Sequence, residues 1–339
     1  MEAKSVASAV ATWLAEGQRV AVANPVEFAG FSSRRPAEML AVSASGQRAG
    51  QVLGAFTSEA LAEQLADLLE PGRPPGRLVR LPVSAAAAAE AGLACGGTVT
   101  VALHDAGALP GGFWSTVVEG RPVALVSAAE SGGPLSSSLT VSDGDVAGTL
   151  SDPDVKDEAI AAGQDLLARA RPGGSLVQAH GTTLVVEAIV PAVQLVVVGR
   201  GDLASALIRQ GELLTWQVKA FDDVTSATAP IAASGPRDAV VVLSHDPALD
   251  APALEAALAS GAGYVGALGS RRTQTARRDR LLGRGVAEAA LGRIHGPAGL
   301  DLGSRTPEEI ALAICAEVLA ICSARAGTSL RDRQAPINA

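Results

Sequence analysis

Between residues 195 and 223 the chain reads LVVVGRGDLASALIRQGELLTWQVKAFDD. Four consecutive apolar residues predict a strand buried on both faces, as in a parallel sheet. Gly199-Arg200-Gly201-Asp202-Leu203-Ala204 then fits G-x-G-x-x-[G/A] at the turn into a helix. The first glycine permits the tight turn, the second lets backbone approach a pyrophosphate, and Ala204 keeps helix close to strand. Leu203, Ala206 and Leu207 repeat at helical spacing, with Gly211 as the expected stop. A second strand over 217–221 ends on Asp222 and Asp223, where an acid accepts from a ribose hydroxyl and repels a 2′-phosphate, favouring NAD over NADP. Arg200 and Asp202 are polar insertions, and an acid at a helix N-terminus opposes a phosphate there.

Three further groups carry chemistry. Asp238 to Leu243 predicts a third buried strand, and its end places Ser244, His245 and Asp246 at the ligand edge of such a sheet. A fourth strand over 264–267 leads into Gly269-Ser270-Arg271-Arg272, where glycine, a hydroxyl and two guanidinium groups at a helix start form an anion clamp. Cys95, beside Gly96 and Gly97, is a candidate thiolate ligand, with His180 as a candidate assistant. Pro252 is expected in the first turn of a helix running to 260.

The supporting chain is long enough for two domains, 339 residues. Its 27 basic and 35 acidic residues give a net charge of −8, which argues against a nucleic-acid partner. Three cysteines make a poor disulfide framework and suit a reducing compartment. No apolar run reaches membrane-spanning length, and the first residues lack a signal-peptide pattern. A cytoplasmic protein is expected.

Residues 1–190 contain an internal echo. RPVALVS at 121–127 repeats the strand begun at Arg19, the Asp143-Gly144 turn repeats Ser45-Gly46, and His180-Gly181-Thr182 stands where Cys95-Gly96-Gly97 stood. Two related α/β units, about 1–105 and 115–190, are expected. If a pseudo-twofold relates them, Cys95 and His180 face one another. A Rossmann-like domain with a parallel sheet follows over 191–328, then a flexible tail over 329–339. Thr306-Pro307-Glu308-Glu309 predicts a capping box opening the last helix, with Ile310, Ile314, Val318 and Ile321 on its core face.

Ser244-His245-Asp246-Pro247, Tyr264 through Thr273 (YVGALGSRRT), and Gly296 through Gly303 (GPAGLDLG) running into Thr306-Pro307-Glu308-Glu309-Ile310 resemble the C-terminal region of the XdhC/CoxI family of xanthine dehydrogenase accessory proteins. The turns at 199–204 and at Cys95 agree with that likeness. It implies a Rossmann domain behind a family-specific α/β domain, with Asp301 added to the binding residues. It also implies binding of molybdenum cofactor (molybdopterin), and its delivery after sulfuration to a xanthine dehydrogenase or carbon monoxide dehydrogenase type of molybdenum hydroxylase. A cysteine desulfurase and a second copy of the chain are the further partners implied. In the family a glycine-glycine-cysteine turn is usual where this chain has Gly54-Ala55-Phe56, and a histidine where Asp202 stands. A phenylalanine neither ligates metal nor carries sulfur. The alternatives are an NAD(P)-dependent oxidoreductase and a scaffold with a decayed pocket.

Overall fold

The computed structural model describes residues 3–31, 37–130, 133–169, 171–244 and 246–332. The chain divides into two compact units, Met1–Pro191 and Ala192–Ala339.

The first unit holds two five-stranded antiparallel sheets. Strands β1 (Val20–Ala29), β2 (Met39–Ser43), β3 (Arg48–Gln51), β4 (Gly76–Val83) and β5 (Gly97–Asp105) form one, in the order β3-β2-β1-β5-β4. Strands β6 (Val123–Glu130), β7 (Leu135–Ser142), β8 (Asp145–Thr149), β9 (Gly173–Ala179) and β10 (Thr182–Ile189) form the other, in the order β8-β7-β6-β10-β9. Counted from its own first strand, each sheet runs third, second, first, fifth, fourth. Each also carries a helix between its third and fourth strands, α2 (Gly54–Leu68) and, after a short 3-10 turn, α5 (Lys156–Ala168).

Alternating side chains decide the layers. Ala21 and Ala23 of β1, Val101 and Leu103 of β5, and Leu61 and Leu65 of α2 make one core. Val126, Leu139, Leu184 and Val186 pack with Ala159 and Leu166 of α5 in a second. The opposite faces of the two sheets meet through Val26, Ala102, Leu135 and Val185. Beside them α1 (Ala3–Ala15) and α4 (Phe113–Glu119) contribute Val6, Val10, Phe113 and Trp114; α3 (Ala85–Glu90) lines the α2 side. The second hairpin strand is Arg48–Gln51, and α2 begins at Gly54. Phe56 therefore stands in a first helical turn.

The second unit is a parallel sheet of β11 (Gln194–Val198), β12 (Gln217–Phe221), β13 (Ala239–Val242), β14 (Tyr264–Ala267) and β15 (Ile294–His295), in the order β12-β11-β13-β14-β15. Helices α7 (Val224–Ala232), α8 (Pro247–Ala259), α9 (Arg271–Gly283) and the short α10 (Glu288–Leu291) cover the face of Val196, Val240 and Val265. Helix α6 (Asp202–Leu213) and α11 (Pro307–Cys322) cover the face of Leu195, Val197 and Val241. Each valine buried this way contributes roughly 1.5–3 kcal/mol.

Local details differ from the sequence expectation for physical reasons. Gly211 does not stop α6, which continues to Leu213. It is glycine because a Cβ there would lie 2.1 Å from Val218 Cγ2, and the chain turns instead at Thr215, with φ +59°. Pro252 lies inside α8, because Asp246 caps a helix that already starts at Pro247. On α11, Ile314 and Val318 are core, but Ile321 is 40% exposed, and Cys315 and Ala320 take the buried stripe. The capping box is present: Thr306 Oγ1 accepts from Glu309 N–H at 3.2 Å, and Glu309 Oε2 accepts from Thr306 N–H at 3.0 Å. Backbone donors at Thr306 and Arg305 hold the Glu309 carboxyl below its ordinary value. Thr306→Ala should cost about 1 kcal/mol, read as a lower urea midpoint with unchanged slope.

Candidate functional site

The strand order of the second unit, renumbered from β11, is 2-1-3-4-5, the flavodoxin-like doubly wound arrangement. Its ligand crevice lies outside the carboxyl ends of β11 and β13, where the order reverses. The strand ends are knitted together there. Gly199 N–H donates to Phe221 O at 2.7 Å, Leu243 N–H to Val198 O at 2.8 Å, and Leu268 N–H to Val242 O at 2.8 Å.

Gly199 has φ +136°, and a Cβ on it would meet Leu243 Cβ at 2.9 Å. The turn is thus closed by its neighbour across the switch point. Gly201, at φ +97°, faces open space with nothing within 4 Å of a built Cβ. Backbone is therefore approachable at the second glycine, while Ala204, on α6, is buried in the core with Leu195 and Val197. Asp202 is the first residue of α6 and is exposed, so a negative charge sits at the positive end of that helix.

Asp222 and Asp223 follow β12, both exposed. Asp223 caps α7, its Oδ1 accepting from Ser226 N–H at 2.8 Å. Hydrogen bonding from Ser226 holds its carboxyl below the usual range. Beyond β13, Asp246 N–H donates to Ser244 Oγ at 2.9 Å, and Asp246 Oδ1 accepts from Ala248 N–H at 2.9 Å. Both side chains thereby shape the start of α8. His245 lies outside the described residues.

After β14, Gly269 has φ +124°, and a Cβ there would press on Thr273 Cγ2 at 2.9 Å. Ser270 caps α9, its Oγ accepting from Thr273 N–H at 3.3 Å. Arg271 and Arg272 are the first two residues of that helix, exposed and without an ion-pair partner among the described residues. Helix dipole and two guanidinium forks coincide, an arrangement that attracts an anion. The Gly199 and Gly269 turns belong to strands flanking β13, so they lie roughly 10 Å apart at about 4.8 Å per strand.

The clamp rests on buried residues that sequence inspection passed over. Arg277 and Asp250, each 2% exposed at the side chain, pair with Nε–Oδ1 at 2.9 Å and Nη2–Oδ2 at 2.8 Å. Arg277 also donates to Leu268 O at 3.0 Å and Gln274 Oε1 at 2.5 Å, while Gln274 Nε2 donates to Ala267 O and Gly269 O. The β14–α9 turn is thus held from beneath by a charge-assisted network. The signal was available: Asp250 shares its helix face with Leu254 and Ala257, and Arg277 with Leu281, all buried.

Asp301 is exposed on the loop that carries Gly299 and Gly303. That loop is anchored by Glu317 of α11, whose Oε2 accepts from Tyr264 Oη at 2.6 Å and from Gly299 N–H at 2.7 Å. Glu317 Oε1 lies 3.2 Å from His295 Nδ1, and the His295 ring stacks on Tyr264 with centroids 4.7 Å apart. Burial pushes the Glu317 carboxyl up, but the donors from His295, Tyr264 and Gly299 outweigh it and the value falls below the ordinary one. Tyr264 is raised by its own burial and by Glu317, so it remains a donor.

In the first unit, Cys95 and His180 have separate partners. The Cys95 thiol, half-buried, reaches Gly30 O at 3.2 Å, and His180 Nε2 lies 3.0 Å from Glu158 Oε1 at an exposed turn. Phe56 is 66% exposed. Burial pushes the Cys315 thiol up to about 12 and also raises Cys322, which removes both as thiolate candidates. Among the described residues no three His, Cys, Asp or Glu side chains gather as a metal site, and no helix is long and apolar enough to cross a membrane.

Fold and turns together define a doubly wound, Rossmann-like domain that follows a two-sheet α/β domain along the chain. Residues 195–318 match the family described as XdhC Rossmann domain, and residues 13–82 match the XdhC and CoxI family. The chain belongs to the XdhC and CoxI family. The molybdenum cofactor insertion chaperone PaoD of Escherichia coli K12 is 32% identical over 134 residues, 39% of this chain and 41% of PaoD. The uncharacterized protein YqeB of the same organism is 36% identical over 72 residues, 21% of this chain and 13% of YqeB. The chain thus matches less than half the length of either curated relative. A crystal structure described as a xanthine dehydrogenase from Bacillus halodurans superposes with a TM-score of 0.60 at 17% identity, covering 97% of this chain and 98% of that one. That likeness extends the shared fold over both units.

Proposed function

We propose that this protein is a maturation chaperone that binds molybdenum cofactor as cargo and hands it to a molybdenum hydroxylase. The observation that carries this reading is the clamp at Gly269, Ser270, Arg271 and Arg272, exposed beside the crevice and locked from below by Arg277. The cofactor's phosphate is the group the clamp would take, at the N-terminal end of α9. Gly199, Gly201 and Ala204 would line the adjoining approach, with Ser244, Asp246 and Asp301 around the rim. The family likeness and the similarity to PaoD support the same cargo. A family cysteine is absent at Phe56, so sulfur handling would fall to Cys95 or to a cysteine desulfurase partner.

Replacing both Arg271 and Arg272 by Ala should weaken cofactor binding by about 2–4 kcal/mol, at roughly 1.5–3 kcal/mol per charged hydrogen bond with incomplete additivity. The test is molybdenum and pterin content of the protein purified from cofactor-producing cells, followed by activation of an apo molybdenum hydroxylase. Equal loading of the double variant and the parent, with native circular dichroism, would overturn the assignment of the clamp.

A second reading, a nicotinamide dinucleotide in the crevice, is favoured by one observation. Gly201 is open for a pyrophosphate, and Asp222 remains for a ribose hydroxyl while Asp223 caps α7. Asp202 opposes it. Calorimetric titration with NAD and NADP separates the two readings, since cargo binding alone predicts no heat from either nucleotide.

A further inference from the structure

The last helix carries leucines that the core does not use. Leu312 and Leu319 of α11 are 49% and 37% exposed, although Ile314, Cys315 and Val318 of the same helix are buried against the sheet. Leu312, Ala316 and Leu319 stand at i, i+4 and i+7, so they form one line on the outward side of the helix. The flanks of that line are occupied. On one side α6 packs along α11, where Arg209 Nη2 meets Glu308 Oε1 at 3.0 Å. On the other, Leu300 N–H donates to Ala313 O at 3.1 Å and Gly299 N–H to Glu317 Oε2 at 2.7 Å.

A third leucine joins them. Helix α6 leaves the carboxyl edge of the sheet at the Gly199 turn. Helix α11 ends at the amino edge, where Cys322 Sγ donates to Arg237 O at 3.6 Å, just before β13. The two helices therefore run side by side in the same direction. One turn beyond the Arg209–Glu308 pair come Leu213 on α6 and Leu312 on α11, and Leu213 is 78% exposed. Single exposed leucines are ordinary on a protein surface, whereas a contiguous patch of them marks a contact surface.

The pattern is its own complement. A twofold axis beside Ala316, perpendicular to α11, lays a second α11 antiparallel on the first. Leu312 of each copy then packs against Leu319 of the other, and the small Ala316 lets the two helices come close. The charges agree with this pairing. At the N-terminal end of α11, Glu212, Glu308 and Glu309 outnumber Arg209 and Arg305. At its C-terminal end the chain reverses at Ala324, with φ +49°, and Arg325 N–H donates back to Ala320 O at 2.8 Å. That reversal sets Arg325 beside the last turn, so antiparallel pairing brings the acidic end of each copy to the basic end of the other. We infer that the outward face of α11, with Leu213 at its edge, is the docking surface for a second copy of this chain. The inference does not rest on the cofactor clamp.

The test uses the full chain. Sedimentation and light scattering from low to high micromolar concentration should show a concentration-dependent dimer. Leu312→Glu puts a carboxylate against the facing Leu319, twice in a symmetric interface, and should raise the dimer Kd by about 30-fold or more. Ala316→Cys should form a disulfide-linked dimer under mild oxidation, beyond any seen with the parent, because the twofold brings the two residues together. Asp279→Cys should not, since α9 covers the other face of the sheet. If Leu312→Glu does not fold, the Ala316→Cys crosslink decides. A protein that is monomeric at every concentration would overturn the proposal, as would a dimer that neither Leu312→Glu weakens nor Ala316→Cys crosslinks. A monomeric parent whose binding to an apo molybdenum hydroxylase is lost in Leu312→Glu would also overturn it, and would give the face to that enzyme instead.

Discussion

Asp250→Ala should destabilise the second unit by about 3–5 kcal/mol, because it strands the buried Arg277 guanidinium without its counter-charge. The effect should reach the candidate site. Arg277 binds Leu268 O and Gln274, and Gln274 in turn binds Gly269 O, so amide protons of the Gly269–Arg272 turn should exchange faster than in the parent. Removing both charges is a different matter. Asp250→Leu combined with Arg277→Met replaces the pair by apolar groups and should recover most of the stability. It should not recover the protection of the turn, because Leu268 O and Gln274 Oε1 still lack their donor. Chemical denaturation of the three proteins, with hydrogen exchange across 267–274, checks both halves. Full protection of the turn in the double variant would mean that the loop is held by Ser270 and the backbone alone.

Glu317→Gln carries the second large effect, and its sign depends on pH. The Glu317 carboxylate takes three hydrogen bonds, from Tyr264, His295 and Gly299, and charged acceptors are worth about 1.5–3 kcal/mol each before compensation. An amide keeps the shape but loses the charge and presents an N–H₂ to one of those donors. A loss of about 2–4 kcal/mol at pH 7 is expected. Since the folded-state value of Glu317 lies below its ordinary 4.5, its contribution is complete above the unfolded value and disappears as pH falls through the folded one. The difference between parent and variant should therefore shrink as the pH falls below about 4.5. Urea midpoints measured across that range read this directly. A gap that stays constant down to about pH 3 would show that packing, and not the ionised carboxylate, anchors the loop at Gly299.

What the sequence made legible was whatever short-range chemistry writes. The valine runs of β11 and β13 announce strands buried on both faces, since no polar residue interrupts them. The pairing of glycine turn, helix and acid-ended strand announces a parallel crossover unit, because a strand that turns so tightly into a helix needs small residues at the turn. The capping box at Thr306 was readable for the same reason: the four residues involved are all neighbours. The repeated order of turns in the first unit also survives in sequence, and the two sheets carry the same strand order.

Tertiary structure decided what depends on partners distant along the chain. Gly211 reads as a helix stop until Val218 is seen 2.1 Å from the place its Cβ would occupy. Asp223 reads as a ribose acceptor, but its carboxylate turns to cap α7. Cys95 and His180 occupy equivalent turns of two like sheets, yet each finds its own neighbour, Gly30 and Glu158. Arg277 sits in a run of basic residues that looks uniformly solvated, and only the packing of α9 against α8 buries that one guanidinium on Asp250, 27 residues away. Local propensity and periodicity fix which elements form. The pairing of buried charge, which has to be satisfied wherever the chain brings it, is settled only when the elements pack.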